Sequence, residues 1–220
     1  MAETIDGVQV RAAVERVVAR LIELRDTLNQ LDAAMGDGDT GITIAKGAVG
    51  LQAYLATNPP GDDLGKFFSG MGMAFNKAAP STLGTLTATA LMRAGKEARG
   101  LLTLDAITLA KMLRAADAGV QERGKARPGD KTVVDALHPA TEAFASAVEG
   151  GQSLETATAA LLQAARAGRD AAIPLRSKIG RAAWVGERSE NQPDPGTVLF
   201  VQVIETILGT EYSEPGSTLG

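Results

Sequence analysis

Residues 10–41 read VRAAVERVVARLIELRDTLNQLDAAMGDGDTG. Apolar residues in the first two thirds of this stretch recur at alternating steps of four and three, the spacing of one face of an amphipathic helix. They are Val10, Val14, Val17, Leu21, Leu24, Leu28 and Leu31. We therefore predict one long helix here, followed by a glycine-rich turn.

Seven further stretches have the same helical spacing of apolar residues. They start at Ile44, Leu64, Leu83, Leu104, Val133, Leu154 and Val201. Residues typical of helix N-caps precede several of these stretches. The predicted N-caps are Ser81, Thr103, Asp130, Ser153 and Asp194. The sequence thus predicts an all-α fold, a compact antiparallel bundle of eight helices with short loops and no strand, in which Pro139 bends the sixth helix.

Composition limits the classes of function. A chain of 220 residues with 45% hydrophobic residues suits one domain over residues 1–220. A net charge of -4, dispersed basic residues and few aromatics argue against nucleic acid as a partner. There is no cysteine and only one histidine, His138, so thiolate metal sites are excluded and histidine-based hydrolysis is poorly supplied. We interpret His138 as a structural side chain.

We expect neither a signal peptide nor a membrane span in this sequence. Residues 1–7 have no basic start or apolar core of a signal peptide, and no window approaches the length of a membrane span. We expect a cytoplasmic protein that does not enter a membrane.

Three aspartates, Asp32, Asp37 and Asp39, fall within eight residues at the end of the first helix. Carboxylates crowded on a tight turn favour a bound cation, and hard oxygen ligands suit Mg²⁺, which often shares its coordination with phosphates. The alternative is a solvated acidic loop, because Asp-Gly pairs are common turn formers. The cluster of three favours the metal.

Two helix starts suit phosphate, because helix N-termini expose unpaired backbone amides and the positive end of the helix dipole. Asp39, Thr40 and Gly41 begin the second predicted helix, and Ser81 and Thr82 begin the fourth. For the second of these starts, an ordinary capped helix is the alternative.

Two other polar loops could contribute to a site. Lys125 and Lys131 flank a glycine-bearing loop and could meet phosphate, although solvated lysines are the favoured interpretation. The loop 176–196 is long and charged, which is typical of functional or disordered segments. In it we expect Trp184 to anchor the loop to the bundle, with stacking on a base as the alternative.

Three blocks of sequence, residues 31–41, 123–132 and 180–196, resemble the nucleotide-binding subunit or domain of dihydroxyacetone kinases, the DhaL family. The resemblance runs over nearly the whole chain. It implies an eight-helix antiparallel barrel with ADP or ATP at one end, held through two Mg²⁺ ions by Asp32, Asp37 and Asp39.

The resemblance also extends the candidate site. It places Gly124, Arg181 and the turn formed by Asp194, Pro195 and Gly196 at the nucleotide. The complete set of candidate nucleotide-binding residues is Thr40, Gly41, Thr43, Ser81, Thr82, Gly124, Arg181, Asp194, Pro195 and Gly196. No residue of this chain is given a catalytic role.

In this family a separate DhaK-type subunit or domain binds the ketose. The resemblance therefore implies half of a kinase that transfers phosphate to a small ketose. One branch of the family is recharged by a phosphohistidine donor protein of the DhaM type, and the other consumes ATP. The oligomeric state is open, with a homodimer as one option.

The chain departs from the family pattern at the phosphate contacts. Thr40 and Thr43 replace a common His and Asn, and residues 77–80 read KAAP where the family has Gly-Ala-Ser-Gly. The alternatives are therefore a kinase subunit for another acceptor, such as a four-carbon ketose or a fatty acid, and a regulatory module that senses nucleotide without transferring phosphate.

Overall fold

The computed structural model describes residues 3–217, apart from the side chains of Arg181 and Val185, and this part of the chain is mostly helical. Its α-helices are α1 (Gly7–Glu23), α2 (Arg25–Met35), α3 (Thr40–Thr57), α4 (Leu64–Ala78), α5 (Thr82–Glu97), α6 (Ala106–Gly124), α7 (Val134–Glu149), α8 (Leu154–Ala171) and α9 (Pro195–Leu208). Two short strands, β1 (Thr4–Asp6) and β2 (Thr103–Asp105), and a 3₁₀ helix (Arg181–Ser189) complete it. The all-α prediction is confirmed.

The helices form a closed ring. Each helix from α3 to α8 packs on the next one, α9 packs on α1, and α1 packs on α3. Neighbours are antiparallel: Gly65 at the start of α4 lies against Gly95 near the end of α5, and Gly168 near the end of α8 lies against Asp135 at the start of α7. The starts of α3, α5, α7 and α9 therefore share one end of the barrel, which we call the aspartate end, with the ends of α2, α4, α6 and α8.

The first predicted helix is two helices, so that prediction is wrong in one respect. The break falls at Leu24, which is both the C-cap of α1 and the N-cap of α2. Leu24 and Leu28 are both buried in the main core, and helical hydrogen bonds continue on both sides of the break, from the Leu24 N–H to the Arg20 carbonyl and from the Leu28 N–H to the Leu24 carbonyl. The second helix then packs on α3, α9 and the 3₁₀ helix.

The prediction of no strand is also wrong, because β1 and β2 pair antiparallel. Each strand leads directly into a helix. Asp6 caps α1 in a reciprocal capping box with Gln9, and Asp105 caps α6 by accepting a hydrogen bond from the Thr108 N–H at 2.7 Å. Thr103, the predicted cap of this helix, lies in β2 instead. The pairing fixes the entry of two helices that are distant in sequence.

Most of the other predicted caps are confirmed. Ser81, Ser153 and Asp194 are the N-caps of α5, α8 and α9. Asp130 is not a cap, because α7 begins later, with Val133 at the N-cap position. The Asp130 carboxylate accepts a hydrogen bond from the Arg127 N–H at 2.9 Å and so closes the preceding loop. Pro139 lies inside α7 as predicted.

The main hydrophobic core lies between α1, α3 and α4, and a second cluster joins α7, α8 and α9. Within residues 3–217, no helix has both the length and the apolar character needed to cross a bilayer.

Candidate functional site

The structure brings the three predicted aspartates together at the aspartate end of the barrel. Asp32 lies in the last turn of α2, and Asp37 and Asp39 lie in the turn that leads into α3. One carboxylate oxygen from each lies within 4.8 Å of the others, with Asp32 partly buried and the other two exposed. The cluster predicted from sequence spacing is therefore a cluster in space.

Glycines allow this turn to form. Gly38 has a positive φ of 77°, which a residue with a side chain rarely adopts. A Cβ at Gly36 would collide with the Asp32 carboxylate. The turn thus reverses the chain within a few residues and returns Asp39 to Asp32.

Asp32 has a structural task as well. Its Oδ2 accepts hydrogen bonds from the Asp39 N–H at 2.9 Å and the Thr40 N–H at 3.1 Å. These amides belong to the start of α3, where the N-cap residue Asp39 makes no capping bond with its own side chain. The carboxylate of Asp32 therefore caps α3, and the two amides hold it in place.

The close approach of α2 and α3 depends on a small residue. A Cβ on Gly41 would collide with the carbonyl oxygen of Arg25. Beside it, the Asn29 Oδ1 accepts a hydrogen bond from the Ile42 N–H at 3.1 Å. The sequence analysis missed Asn29, although it lies one helical turn before Asp32 and hence on the same face of α2.

The carboxylates fit a Mg²⁺ site. Oxygens about 2.1 Å from one octahedral ion lie about 3 to 4 Å from one another. The three carboxylate oxygens, which lie within 4.8 Å of one another, are thus close to the spacing that one such ion requires. All three donors are the hard ligands that this ion prefers.

The start of α5 lies at the same end. The Ser81 Oγ caps the helix by accepting a hydrogen bond from the Gly84 N–H at 3.0 Å, and Thr82 is exposed beside it. Gly124, the last residue of α6, lies beside Leu86 of α5. Ser81, Thr82 and Gly124 are therefore neighbours of the aspartate end, as their positions in the antiparallel ring require.

The third helix start is that of α9. Asp194 accepts a hydrogen bond from the Thr197 N–H at 2.8 Å, Pro195 occupies the first turn, and Gly196 packs closely against Val133 at the start of α7. Burial raises the pKa of Asp194 to about 7, although the hydrogen bond from Thr197 acts in the opposite direction. This carboxyl is thus partly protonated near neutral pH.

The remaining candidates are placed as follows. Thr40 and Gly41 are the first two residues of α3. Thr43 lies almost one turn further on, partly buried, and its N–H donates to the Asp39 carbonyl at 3.0 Å. Arg181 begins the 3₁₀ helix, which contacts α2, but its side chain lies outside the described part of the structure.

Trp184 does not anchor its loop, so that prediction is wrong. The indole is 87% exposed. Polar contacts hold the loop instead: the Ser177 N–H donates to the Ser189 Oγ at 3.0 Å, and Arg176 pairs with Glu190 at 2.8 Å. An exposed indole at the loop surface is available for contact with a ligand or a partner.

Lys131 is not a solvated lysine. It is only 2% exposed, and its Nζ donates to three backbone carbonyls. It is therefore not available to phosphate, whereas Lys125 is exposed as expected. The His138 Nδ1 lies 2.7 Å from the Asp117 carboxylate, which agrees with a structural histidine.

Comparison with known proteins finds a matching family and several relatives. A family model described as the DAK2 domain matches residues 34–209. The chain is 32% identical, over 88% of its length and 91% of the relative's, to the ADP-binding subunit DhaL of PEP-dependent dihydroxyacetone kinase 1 from Listeria innocua. It is 30% identical to human triokinase/FMN cyclase over 89% of this chain and 34% of that protein.

A solved structure has a similar fold. The dihydroxyacetone kinase from C. freundii in complex with AMP-PNP and Mg²⁺ matches with a TM-score of 0.67 and 26% identity, over 96% of this chain and 35% of that one. The chain thus spans about a third of the length of the triokinase and of the C. freundii kinase. It matches nearly the full length of the Listeria subunit.

Proposed function

The chain belongs to the DAK2-domain family, and we propose that it is the Mg²⁺-dependent, ADP- or ATP-binding part of a dihydroxyacetone-type kinase. In this proposal it passes phosphate to a small ketose held by a separate substrate-binding subunit. The observation that carries it is the cluster of Asp32, Asp37 and Asp39 against the N-terminus of α3. The names of the relatives support it, since one is an ADP-binding subunit of similar length and another was solved with AMP-PNP and Mg²⁺.

In this proposal Asp32, Asp37 and Asp39 hold two Mg²⁺ ions. When bound, such ions neutralise the charge of the phosphates during transfer. Asp32 contributes a preset oxygen position, because two backbone amides fix its other oxygen. Without a cation, the three negative charges repel the phosphates of a nucleotide. With bound cations, the same cluster attracts them.

The helix starts at the same end are proposed to hold the nucleotide. The starts of α3, with Thr40, Gly41 and Thr43, and of α5, with Ser81 and Thr82, place the positive ends of two helix dipoles at this end, which favours anions. At α3 the Asp39, Thr40 and Ile42 amides already donate to Asp32 and Asn29, so the dipole rather than those amides is what this start offers a phosphate. Gly124, Arg181 and the turn of Asp194, Pro195 and Gly196 are proposed for the rest of the nucleotide. The chain then acts by positioning and electrostatics, and no side chain serves as acid, base or nucleophile.

The substrate subunit is proposed to be of the DhaK type, which completes the active site with the ketose. The phosphate source is either exchanged ATP or a phosphohistidine donor protein of the DhaM type that recharges bound ADP. We further propose that residues 1–220 act as one domain in this assembly.

Calorimetry followed by reconstitution tests the proposal. Wild-type protein should bind Mg·ADP, and binding should vanish when EDTA removes the metal. With a purified dihydroxyacetone-binding subunit and either ATP or a phosphorylated donor protein, it should phosphorylate dihydroxyacetone. Failure to bind Mg·ADP would refute the proposal.

The acceptor is tested in the same assay. Turnover with erythrulose but not with dihydroxyacetone would assign a four-carbon ketose. Tight nucleotide binding without turnover of any ketose would favour the nucleotide-sensing module instead.

A further inference from the structure

Lys131 combines unusual burial with an unusual backbone. Its φ of 58° lies in the left-handed region, and its side chain is almost completely buried. The Nζ donates to the carbonyls of Ile173 at 2.7 Å, Leu175 at 2.9 Å and Ser189 at 2.6 Å. Since an ammonium group has three donors, its capacity is fully used.

Two of these carbonyls, those of Ile173 and Leu175, come just before one loop, and the third, that of Ser189, lies near the end of the same loop. We call residues 176–190 the pinned loop, because its two ends meet. The Ser177 N–H donates to the Ser189 Oγ at 3.0 Å, and that hydroxyl donates to the Gly186 carbonyl at 2.7 Å. A compact surface loop with joined ends and its own internal contacts is typical of an Ω-loop, a type that frequently carries function.

The pinned loop lies next to the proposed site. Its 3₁₀ helix contacts α2, the helix that carries Asp32. Lys131 is also close enough to Asp194, the N-cap of α9, for the two charges to interact. One buried amine thus joins the entry and exit of the loop and lies beside the start of α9.

Burying the Lys131 amine costs free energy, which indicates that the contacts it makes are important for the loop. Burial lowers the pKa of Lys131, and the nearby carboxylates of Asp194, Glu190 and Asp135 only oppose that shift. An apolar side chain would avoid this cost but would leave the three carbonyls without their donor. Burying the Lys131 amine therefore costs free energy, but its three hydrogen bonds fix the positions of the two loop ends.

We propose that Lys131 is a positioning residue that keeps the pinned loop closed beside bound nucleotide and so sets how long the nucleotide stays. The inference rests on the proposed nucleotide-binding function. Lys131 affects the dissociation of the nucleotide, because a loop with unfixed ends opens more often. The association rate changes little, because the route of entry and the aspartate cluster stay the same.

Lys131→Met tests this, since it removes the donors and preserves the length of the side chain. The dissociation rate of Mg·ADP, measured by stopped-flow chase, should rise about tenfold or more, because bonds to a charged donor are lost. The association rate should change less than about twofold, the range expected when dissociation carries the effect. Lys96→Met, at an exposed position near the far end of α5, is the matched control and should keep both rates.

The chain supplies its own reporter of the loop. Trp184 is the only tryptophan and lies within the pinned loop, so its fluorescence anisotropy reports the motion of the loop. The anisotropy should fall in Lys131→Met and remain at the wild-type value in Lys96→Met. Faster dissociation with unchanged anisotropy, or wild-type values of both, would overturn the proposal.

Ser189→Ala is the second variant and decides the question if Lys131→Met does not fold. It removes the bonds to Ser177 and Gly186 but keeps the carbonyl that Lys131 binds. We expect about threefold faster dissociation and lower anisotropy, as for the loss of a neutral hydrogen bond. Unchanged values in a folded Ser189→Ala protein would contradict the inference. A wild-type protein that binds no Mg·ADP would instead refute the proposed function, while the anisotropy comparison would still judge the pinning of the loop.

Discussion

The carboxylates of Asp37 and Asp39 are exposed at the start of α3, whereas that of Asp170 is completely buried at the end of α8. The first group consists of like charges within 4.8 Å of one another. The second is matched by a buried arginine, because Arg169 Nε donates to Asp170 at 2.7 Å. Charge therefore serves two purposes in one barrel.

The buried pair of Arg169 and Asp170 also holds the C-terminal segment in place, and we call these contacts the Arg169 tie. Arg169 also donates to the carbonyls of Ser213 and Glu214, and Asp170 accepts from the Gly216 N–H at 2.8 Å. Each of these hydrogen bonds of Arg169 joins its guanidinium group to a carboxylate or to a backbone carbonyl. By contrast, the clustered carboxylates near the surface repel one another, and this repulsion is relieved if a cation binds between them.

The largest expected effect comes from breaking the buried tie. Arg169→Met leaves the Asp170 charge buried and two carbonyls without a donor, so the free energy of unfolding should fall by about 3–5 kcal/mol. Arg114→Met, which breaks an exposed pair with Glu149, should cost less than about 1 kcal/mol. Chemical denaturation measures both, and equal losses would erase the distinction between the two kinds of charge.

This contrast also explains what the sequence could predict. The aspartate cluster was predictable because its members lie within eight residues on one helix end and turn. The Arg169 tie was not, because its acceptors Ser213 and Glu214 lie 44 and 45 residues further along the chain. Local patterns predict local sites, whereas contacts that close over a long sequence separation leave no periodic signal.

The same reasoning applies to the fold. The apolar residues at helical spacing predicted the eight helices that form the ring, because each such spacing is a local pattern. The break at Leu24 left no signal, since this residue keeps helical backbone angles and continues the apolar stripe. The pairing of β1 with β2 joins segments almost 100 residues apart, and the exposure of Trp184 depends on polar contacts that hydrophobicity does not report.

Asp194 is a third kind of carboxyl group in this protein: it is buried, and its pKa lies near neutral pH. Its pKa in the folded protein is raised from 3.8 to about 7, so the stability it contributes is present below pH 4 and is lost as the pH rises to 7. Asp194→Asn removes this titration and keeps a capping oxygen. Without nucleotide, its stability relative to wild type should increase from pH 4 to pH 8 by at most about 4 kcal/mol.

Urea denaturation across this pH range measures the difference. Asp6→Asn, at the exposed N-cap of α1, is the control for replacing a capping aspartate. A flat difference between Asp194→Asn and wild type would show that Asp194 titrates normally.

A smaller effect concerns Mg²⁺ alone. Because the cation relieves repulsion within the aspartate cluster, it should stabilise the wild-type protein by about 1.4 kcal/mol when its concentration is tenfold above the dissociation constant. The double variant Asp37→Asn, Asp39→Asn should show no such gain. Thermal unfolding with Mg²⁺ or with EDTA provides the comparison, and equal gains in both proteins would place the ion elsewhere.

The smallest effect is expected at Trp184. Because its indole is 87% exposed, Trp184→Ala should change the free energy of unfolding by no more than about 0.5 kcal/mol. Chemical denaturation followed by circular dichroism measures this without the tryptophan signal. A loss above 2 kcal/mol would restore the anchoring role that the sequence suggested.

Calorimetric titration of Mg·ADP into the single variants Asp37→Asn and Asp39→Asn addresses the aspartate site itself. Each should lower the affinity at least about a hundredfold, since the change removes a charged metal ligand, while helicity and thermal stability stay near wild type. Asp62→Asn, an exposed change in the loop between α3 and α4 at the opposite end of the barrel, should bind as wild type does. Wild-type affinity for Mg·ADP in both folded cluster variants would contradict a metal-dependent nucleotide site at these aspartates.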